Sequence, residues 1–528
     1  MSFGRALKIS LLLPMTMLPL LRAAHAEKVQ HNPRVIVEVK HDVSGALSEM
    51  ARVAPPPAPG IIEMREHRVP SHFLGSTSGF DPVVQEEFLP EVSTTNLLSF
   101  DGITGAQGGA IPPDTNGSVG STQFVEITNF DYAVYNKSGK LVLTPTRINV
   151  IWQGFGGLCE SNNGGDPVAL WDKLAGRWLV TQLAYTGGFT QNFLCVAVST
   201  TGDATGSYNR YAFSFGGVLP DYPKYAVWPD AYYAAMNDSG FVGEACALDR
   251  TAMLAGNTAS IICFTPSGSH SSFLPSDLDG ATLPPSGAPN HYVELGNNTS
   301  SLNEYDFHVD FATPQNSTFT GPHVINVPTY SLLCSGGSGA CVPQPAPGSL
   351  LDALGDRLMF RLAYRNFGDH EAMVVAHSVK PGGSSTAAAA TRWYELRAKP
   401  TGSNFRLFQA GTMQTNTINL WMGSIAMDKV GNIALGVSAD SATGVKPSIW
   451  YTGRVPGDAR GKMETPVIVV KGGAVQTGSN RWGDYSSMSV DPSDDCTFWY
   501  TNEYYNAKSG NGRNWTTHMA SFKFNTCN

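Results

Sequence analysis

The sequence predicts an all-β fold from two patterns along the chain and from its composition. From about residue 97 onward, short runs rich in Val, Ile, Phe, Tyr and Trp are separated by turns of Gly, Asn, Asp and Pro. Long segments with helical periodicity are nearly absent from this region. Charged residues make up only 15% of the 528 residues, while Gly 55 and Pro 34 supply abundant turn residues. These features are typical of a sandwich, a barrel or a propeller.

A repeated pattern distinguishes among these three architectures. Each copy contains a loop aspartate, a short strand, a second Asp or a turn, and another strand. The clearest copies occupy residues 165–180, 221–233, 421–435 and 482–500, and looser copies begin near Asp114, Glu304 and Asp356. Seven starts give roughly 60 residues per unit, and closed radial repetition would protect the edges of so many strands. The sequence therefore predicts a β-propeller over residues 96–528, with seven blades and with six or eight as alternatives.

The N-terminal residues predict export. Arg5 and Lys8 precede a short apolar stretch, and an Ala-x-Ala motif ends at Ala26, which is the arrangement of a secretory signal peptide over residues 1–26. The apolar stretch is too short to span a membrane. We therefore expect a secreted protein, either extracellular or in the periplasm or at the cell surface. Residues 27–95 are Pro-rich and lack sustained periodicity, so we interpret them as an extended, partly ordered linker.

The cysteine content agrees with an oxidising compartment. Eight cysteines, an even number, favour disulfides in an exported chain, and the absence of Cys-x-x-Cys argues against a zinc ribbon. Among the 105 possible connectivities we predict sequential pairing. The predicted bonds are Cys159 with Cys195, Cys246 with Cys263, Cys334 with Cys341, and Cys496 with Cys527.

Charge and motifs exclude several classes of function. The net charge of −8 argues against binding to nucleic acid through phosphate neutralisation. The sequence contains no H-E-x-x-H, no G-x-S-x-G elbow, no P-loop and no dinucleotide fingerprint, so neither a zinc protease nor an organic cofactor is predicted. The partners that we expect are an extracellular glycan or a cell-surface protein.

Four loop aspartates, Asp114, Asp166, Asp221 and Asp484, form the first candidate site. If the repeats are blades, equivalent residues fall at equivalent places around one face or the central channel. A ring of carboxylates there could bind Ca²⁺ or form hydrogen bonds with sugar hydroxyls. The alternative is that each aspartate caps its own turn.

A second candidate site lies within eleven residues and combines two guanidiniums with a titratable histidine and carboxylates. Its members are Arg361, Tyr364, Arg365, Asp369, His370 and Glu371. Guanidiniums bind carboxylate or sulfate groups, which suggests an acidic glycan as the ligand. The alternative is that these arginines form ion pairs between neighbouring blades.

Aromatic residues are dense around the repeat strands. They are Trp228, Tyr232, Tyr233, Trp421, Trp482, Tyr485, Trp499, Tyr500, Tyr504 and Tyr505. An exposed subset would stack on sugar rings, whereas buried rings would fill the space between sheets, and we expect most of them to be buried. Glu503 and Asp484 form a candidate carboxylate pair for glycoside hydrolysis, and Tyr485 lies beside them.

Five segments resemble a widespread group of large secreted bacterial proteins whose sequences are propeller-like. These segments are residues 111–117, 152–157, 221–224, 361–368 and 481–486. The resemblance covers essentially all of residues 97–527 and implies secretion and a propeller, but no particular activity. A distant similarity to sialidase-type propellers rests on a degenerate Asp-box at Ser438-Ala439-Asp440, where Ala442 replaces the glycine.

Two classes of function follow from these observations. The first is a binding or adhesion module that presents propeller loops to a glycan or a surface partner, which the absence of a catalytic signature favours. The second is a sialidase-like glycoside hydrolase or a polysaccharide lyase that uses the channel carboxylates or the Arg361–Glu371 segment. We favour the binding module.

Overall fold

The computed structural model describes residues 1, 28–30, 32–55, 60–64, 80–238, 242–268, 270–334, 339–382, 388–400 and 404–528. The predicted signal peptide, apart from Met1, lies outside these residues. Strands dominate the described chain and helices are short.

The strands are numbered in chain order, and their bounds are β1 Lys28–Gln30, β2 Arg34–Val37, β3 Lys40–Val43, β4 Ile62–Glu63, β5 Leu89–Glu91, β6 Thr94–Thr104, β7 Ala110–Ile111, β8 Asn116–Val119, β9 Gln123–Ile127, β10 Asp131–Asn136, β11 Leu141–Arg147, β12 Val168–Asp172, β13 Arg177–Tyr185, β14 Asn192–Ser199, β15 Tyr208–Gly216, β16 Asp221–Val227, β17 Tyr232–Asn237, β18 Gly243–Leu248, β19 Ser260–Phe264, β20 Leu274–Asp279, β21 Asn290–Leu295, β22 Ser301–His308, β23 Thr318–Asn326, β24 Ser331–Leu332, β25 Ala340–Val342, β26 Leu351–Asp352, β27 Met359–Asn366, β28 Glu371–Lys380, β29 Ala390–Ala398, β30 Arg406–Met413, β31 Asn419–Met427, β32 Ile433–Asp440, β33 Ser448–Arg454, β34 Glu464–Thr465, β35 Val467–Val470, β36 Ser487–Val490, β37 Thr497–Tyr504 and β38 Thr516–Phe524.

The helices connect or flank these strands. The α-helices are α1 Leu47–Val53, α2 Gly105–Gly108, α3 Gly157–Ser161 and α4 Arg250–Ala255, and the 3₁₀ turns are Ile148–Trp152, Pro314–Asn316 and Ala507–Ser509. None of the helices in the described residues has the length and hydropathy that a membrane span requires.

The strands form antiparallel groups, which we call blades, and each blade runs outward from an inner strand. The orders are β8-β9-β10-β11, β12-β13-β14-β15-β3, β16-β17-β18-β19-β2, β20-β21-β22-β23-β1, β27-β28-β29-β30, β31-β32-β33-β35 and β36-β37-β38-β6. Inner strands of successive blades contact each other, and β36 contacts β8, so the ring closes. This arrangement is a β-propeller and confirms the predicted fold class.

The number of blades depends on how one large sheet is divided. Parallel pairing of β20 with β27 joins two antiparallel groups into a ten-stranded sheet. We interpret this sheet as two blades, because each half is antiparallel and has its own inner strand. The blades are numbered 1 to 7 by their inner strands β8, β12, β16, β20, β27, β31 and β36.

The last blade is built from both ends of the described propeller. Strand β6 pairs with β38 along nearly its whole length, so a strand from before blade 1 completes blade 7. The disulfide Cys496–Cys527 lies in the same blade. All eight cysteines pair in the predicted sequential order, and none is free.

The N-terminal segment adds outer strands to three blades. Strand β3 pairs with β15, β2 with β19, and β1 with β23, so the chain runs backward along blades 2, 3 and 4. The sequence predicts an extended linker over residues 27–95, and the described first part of this segment pairs in this way. The added strands cover sheet edges that would otherwise expose unpaired N–H and C=O groups.

The repeats identified in the sequence correspond to the inner hairpins of blades. Residues 165–180 contain β12 and the start of β13, and residues 482–500 contain β36 and the start of β37. The looser copy predicted to begin near Glu304 is wrong in register, because Glu304 lies in β22, the third strand of blade 4. The inner strand of that blade is β20, whose sequence Leu-Pro-Ser-Asp-Leu-Asp has no β-branched residue and gives no strand signal.

The core lies between blades and is rich in aromatic side chains. All ten aromatic residues singled out in the sequence are buried, which agrees with the expectation that most of them fill the space between sheets. Trp421 and Trp482, for example, pack with ring centroids 5.7 Å apart, between blade 6 and the segment that leads into blade 7.

Candidate functional site

The structure brings the four loop aspartates together. Asp114, Asp166 and Asp484 lie two or three residues before β8, β12 and β36, and Asp221 is the first residue of β16. All four line one cavity of about 40 Å³. The cavity therefore lies where the inner strands of blades 1, 2, 3 and 7 begin.

The backbone at three of these aspartates adopts the left-handed conformation. The φ angles are 53° at Asp114, 50° at Asp166 and 56° at Asp484. Aspartate tolerates this region better than most residues, which explains the residue type at these turns. The side chain of Asp166, however, bonds beyond its own turn. Asp166 Oδ2 accepts a hydrogen bond from the Tyr222 N–H of the next blade at 3.3 Å, so turn capping does not account for this residue.

The carboxylates of Asp114, Asp166 and Asp484 are close to one another. One oxygen from each lies within 4.8 Å of the others. Burial, followed by the charges of Asp484 and Asp166, raises the pKa of Asp114 well above its usual value, and Asp114 and Asp166 share a hydrogen bond. Asp114 is 2% exposed, and its Oδ1 has no hydrogen-bond partner among the described residues. The site is thus a dense set of carboxylates in which one polar atom is unsatisfied.

Burial is the largest cause of the pKa shift of two more carboxyl groups at this site. It raises the pKa of Asp221 well above its usual value, and the charge of Asp166 adds to the effect. The pKa of Asp484 is also raised by burial, although Arg481 opposes the shift. Because the three shifts have a common cause, the site resists carrying all of its negative charges at once.

Three basic residues surround the carboxylates. Arg481 Nη2 donates to both oxygens of Asp484 at 2.8 Å, and Arg357 forms an ion pair with Asp356 at 2.8 Å. Lys224 Nζ lies 3.4 Å from the centroid of the Tyr222 ring and 4.1 Å from that of Tyr485.

Burial lowers the pKa of Lys224 to about 8, despite the nearby carboxylates. The three basic residues therefore neutralise part of the negative charge of the carboxylates. The centre of the cluster remains polar.

Glu503 contacts the turn that carries Asp484. Its Oε1 accepts a hydrogen bond from Gly483 N–H at 2.6 Å, while its Oε2 is buried without a hydrogen bond from the described residues. Burial raises the pKa of Glu503 well above its usual value, and the charge of Asp484 adds to the effect. Glu503 therefore supports the turn that carries Asp484.

Two aromatic rings lie at the edge of the cavity. Tyr185 and Phe189 both line it, and their ring centroids are 4.9 Å apart. Both residues are half-buried, so part of this ring pair faces solvent. Tyr485, by contrast, is fully buried, and its hydroxyl donates to Pro167 O at 3.2 Å. The edge of the cavity thus combines an apolar surface with the carboxylates at the base.

The second predicted cluster is divided among several contacts. Arg361 donates to Asp277 at 2.7 Å and to Asp279 at 2.8 Å, both on the inner strand of blade 4. Arg365 donates to both oxygens of Asp495 in blade 7 at 2.7 Å. These bonds connect blades, as the alternative interpretation predicts.

The other members of the second cluster bond among themselves. Tyr364 donates its hydroxyl proton to Glu371 Oε1 at 2.5 Å. The His370 ring nitrogen Nδ1 lies 2.6 Å from Asp369 Oδ1 in an exposed turn. The structure therefore does not bring this cluster together at one surface site.

Sequence reasoning misses the basic residues of the aspartate site. Lys224 and Arg481 belong to the motifs Asp-Tyr-Pro-Lys and Arg-Trp-Gly-Asp, yet neither is among the site residues predicted from the sequence. Arg357 follows Asp356, where only a looser copy of the repeat begins, so its signal is weaker. Basic residues that recur within three positions of a repeat aspartate are a signal that could have identified the first two.

The chain has distant structural similarity to several solved proteins. No protein-family model matches the chain, and no curated protein matches it. Among solved structures, the polysaccharide lyase Uly1 aligns with a TM-score of 0.39 and 10% identity over 88% of this chain and 97% of its own.

Two further solved structures are similar at the same level. An α-L-arabinofuranosidase from Fusarium graminearum aligns with a TM-score of 0.35 and 10% identity, covering 81% of this chain and 97% of its own. The WD40 domain of SCAP from fission yeast aligns with a TM-score of 0.29 and 8% identity, covering 83% and 96%. Likeness this distant carries no functional argument, so the function must be inferred from the site.

Proposed function

We propose that this protein is a secreted β-propeller that binds glycans through a calcium ion held by Asp114, Asp166 and Asp484. The observation that carries the proposal is the meeting of three carboxylates, one oxygen from each within 4.8 Å of the others, around a cavity lined by a buried, unsatisfied oxygen of Asp114.

The residues fit calcium in ligand type and spacing. Calcium binds carboxylate and carbonyl oxygens at about 2.3–2.6 Å, so oxygens on opposite sides of the ion are up to about 5 Å apart. One oxygen from each of the three carboxylates lies within 4.8 Å of the others, so the three can reach one ion. Asp484 keeps free lone pairs beside its bond to Arg481, because a carboxylate has about four acceptor positions.

The size of the cavity determines which part of a ligand can enter. A water molecule needs roughly 10–15 Å³ of such space, so the volume of about 40 Å³ accommodates an ion with one or two waters. A typical small-molecule pocket is larger, at about 300–1,000 Å³. A sugar would therefore remain at the edge, stacked on Tyr185 and Phe189, and would reach the ion with hydroxyl or carboxylate oxygens.

The same proposal includes the location and the partner. The four disulfides and the signal peptide that the sequence predicts support secretion. Nothing in the charge of the chain favours nucleic acid, and we infer that the partner is an extracellular or cell-surface glycan.

Calorimetric titration with Ca²⁺ tests the cation site. We expect the calcium-free protein to bind one Ca²⁺ at this site, and Asp166→Asn to weaken binding by at least about tenfold, because affinity depends on the number of ligand charges. Asp310→Asn is the matched control, since Asp310 lies in a half-buried turn and does not line the cavity. Absence of calcium binding by the wild-type protein, or equal affinities in the two variants, would contradict the proposal.

A second candidate function is favoured by one observation. Burial raises the pKa of Asp114 well above its usual value beside the carboxylate of Asp166, and glycoside hydrolases use a carboxylic acid of raised pKa together with a second carboxylate. In that case Asp114 would act as the general acid and the protein would shorten its glycan. Mass spectrometry of the glycans after incubation distinguishes the two functions, because a binding module leaves their masses unchanged.

A further inference from the structure

Blade 4 contains a second cluster of chemically active side chains, distant in sequence from the aspartate site. His291 on β21 lies directly opposite Asp306 on β22, and Glu304 on β22 lies directly opposite His323 on β23. Since Glu304 and Asp306 are two residues apart on one strand, they share a sheet face. The four side chains therefore occupy neighbouring positions on one face.

The nitrogens and oxygens of this cluster are close to the spacing of a metal site. His291 Nδ1 lies 2.8 Å from Asp306 Oδ1 and 3.2 Å from Glu304 Oε1. His323 Nε2 lies 3.5 Å from Asp306 Oδ2. In a tetrahedral zinc site with bonds of 2.0–2.1 Å, neighbouring ligand atoms are about 3.3 Å apart. The separations from His291 bracket this value and join three of the residues in one group, while His323 approaches the other oxygen of Asp306.

Glu304 is the residue that points to a ligand. It is 0% exposed, and neither of its carboxylate oxygens makes a hydrogen bond within the described chain. Among the residues that the structure describes, the ion pairs of Glu304 and Asp306 are with histidines alone. One proton on His291 Nδ1 can point at only one of the two carboxylates, and Asp306 is the nearer. A buried carboxylate that shares its only nearby donor among the described residues with a second carboxylate is costly, and a divalent cation would remove that cost.

Residues around the cluster would orient the histidine rings. Asn404 Nδ2 lies 3.1 Å from His323 Nδ1 and would hold the orientation of this ring. The Phe405 ring packs edge-on against His291, with centroids 4.8 Å apart. The side chain of Asp306 is 24% exposed, which gives an ion a path from solvent.

We propose that His291, Glu304, Asp306 and His323 form a structural site for a divalent transition metal, with zinc as the ion that best matches two imidazoles and two carboxylates. Two neutral imidazoles and two carboxylates carry the charge that balances Zn²⁺, and this ligand set is typical of borderline metals. The site joins three strands of blade 4 and lies beside residues 404–405, which precede the outer strand of blade 5. It is independent of the calcium site.

Zinc binding by the full secreted chain tests this proposal. Bound metal is first removed from the protein with a chelator, and the protein is then titrated with ZnCl₂. After gel filtration, the zinc that remains bound is measured by elemental analysis. We expect about one zinc per chain, and at least about 100-fold weaker binding in Glu304→Gln and in His323→Gln. His518→Gln is the matched control, because His518 also pairs with an aspartate, Asp101 at 2.8 Å, but belongs to no such cluster among the described residues.

A second readout covers variants that fold poorly. Wild-type protein loaded with Co²⁺ should show visible absorption bands of a four-coordinate ion, and addition of Zn²⁺ should remove them. The proposal is overturned if the wild type retains no zinc and gives no cobalt spectrum, which would mean that a protonated His291 holds the carboxylates. Zinc retention unaffected by either substitution would also overturn it.

Discussion

Buried carboxylates in this protein are of two kinds, those that contact a guanidinium and those that do not. Asp277 and Asp279 both accept hydrogen bonds from Arg361, which connects blades 4 and 5. Within the described part of the chain, Glu126 and Asp114 form no hydrogen bond with an arginine or lysine, and burial raises the pKa of both. The pairs of Arg361 therefore connect blades, whereas the raised pKa values of Glu126 and Asp114 favour their protonated forms.

Glu126 provides a test of this distinction by pH. Its oxygens accept hydrogen bonds from Ile103 N–H, Tyr135 and Thr517, and burial raises its pKa to about 7. The folded state then binds more protons than the unfolded state between pH 4.5 and 7, so its stability falls as the pH rises through this range.

We expect Glu126→Gln, which remains neutral, to gain stability over the wild type from about pH 5 to about pH 8, by at most about 3 kcal/mol. Chemical denaturation at several pH values measures the difference. Glu87→Gln at an exposed position is the control and should show no such trend. A constant difference between Glu126→Gln and the wild type across this range would contradict the assignment.

The sequence is informative about acidic residues and uninformative about their partners. Asp114, Asp166 and Asp484 could be predicted because each occupies the same position in a repeat. The spacing of Lys224 from Asp221 is a signal in the sequence, but its contact with the site is not, since Lys224 packs on Tyr222 and Tyr485 only in the closed ring. For the same reason, the pairing of His291 with Glu304 requires strand register that the sequence does not specify.

At the scale of elements, the strand before blade 1 and the last strand of the chain determine how the ring is closed. Strand β6 completes blade 7 by pairing with β38, and the disulfide Cys496–Cys527 ties a residue beyond the end of β38 to the residue before β37. The disulfide Cys334–Cys341, by contrast, closes a short loop outside the inner strands. The two bonds should therefore differ in their contribution to stability.

We expect removal of Cys496–Cys527 to cost more than removal of Cys334–Cys341. The bonds span 31 and 7 residues, for which loop-closure entropy gives roughly 3–4 and 2–3 kcal/mol. Unfolding of the two double Cys→Ser variants in guanidinium, measured beside the wild type, checks the order. A larger loss for the 334–341 pair would show that the ring is not held by its terminal disulfide.

The sequence predicts inner hairpins better than outer strands. Repeats with an aspartate, a turn and aromatic strands mark blades 2, 3, 6 and 7, because those residues face the ring interior and pack between blades. Strands β1, β2 and β3 are missed because edge strands bury few side chains and so have little hydrophobic alternation. Their pairing depends on the finished propeller.

At the scale of the whole molecule, the fold explains why one small site collects residues far apart in the chain. Asp114 and Asp484 are separated by most of the propeller in sequence, yet they share a cavity because blade 7 lies beside blade 1. The cavity lies at the starts of the inner strands of adjoining blades. A propeller thus offers a rigid, buried polar site without any long loop.

Glycan retention is the measurement that tests the central claim most directly. Immobilised protein is incubated with a labelled library of acidic and neutral glycans, either with Ca²⁺ or with a chelator. The masses of the bound and unbound glycans are then measured by mass spectrometry. We predict selective retention that requires Ca²⁺, is lost in Asp166→Asn and leaves all masses unchanged. Shorter masses would identify an enzyme instead, and retention that is equal with the chelator would contradict a role for the aspartate site.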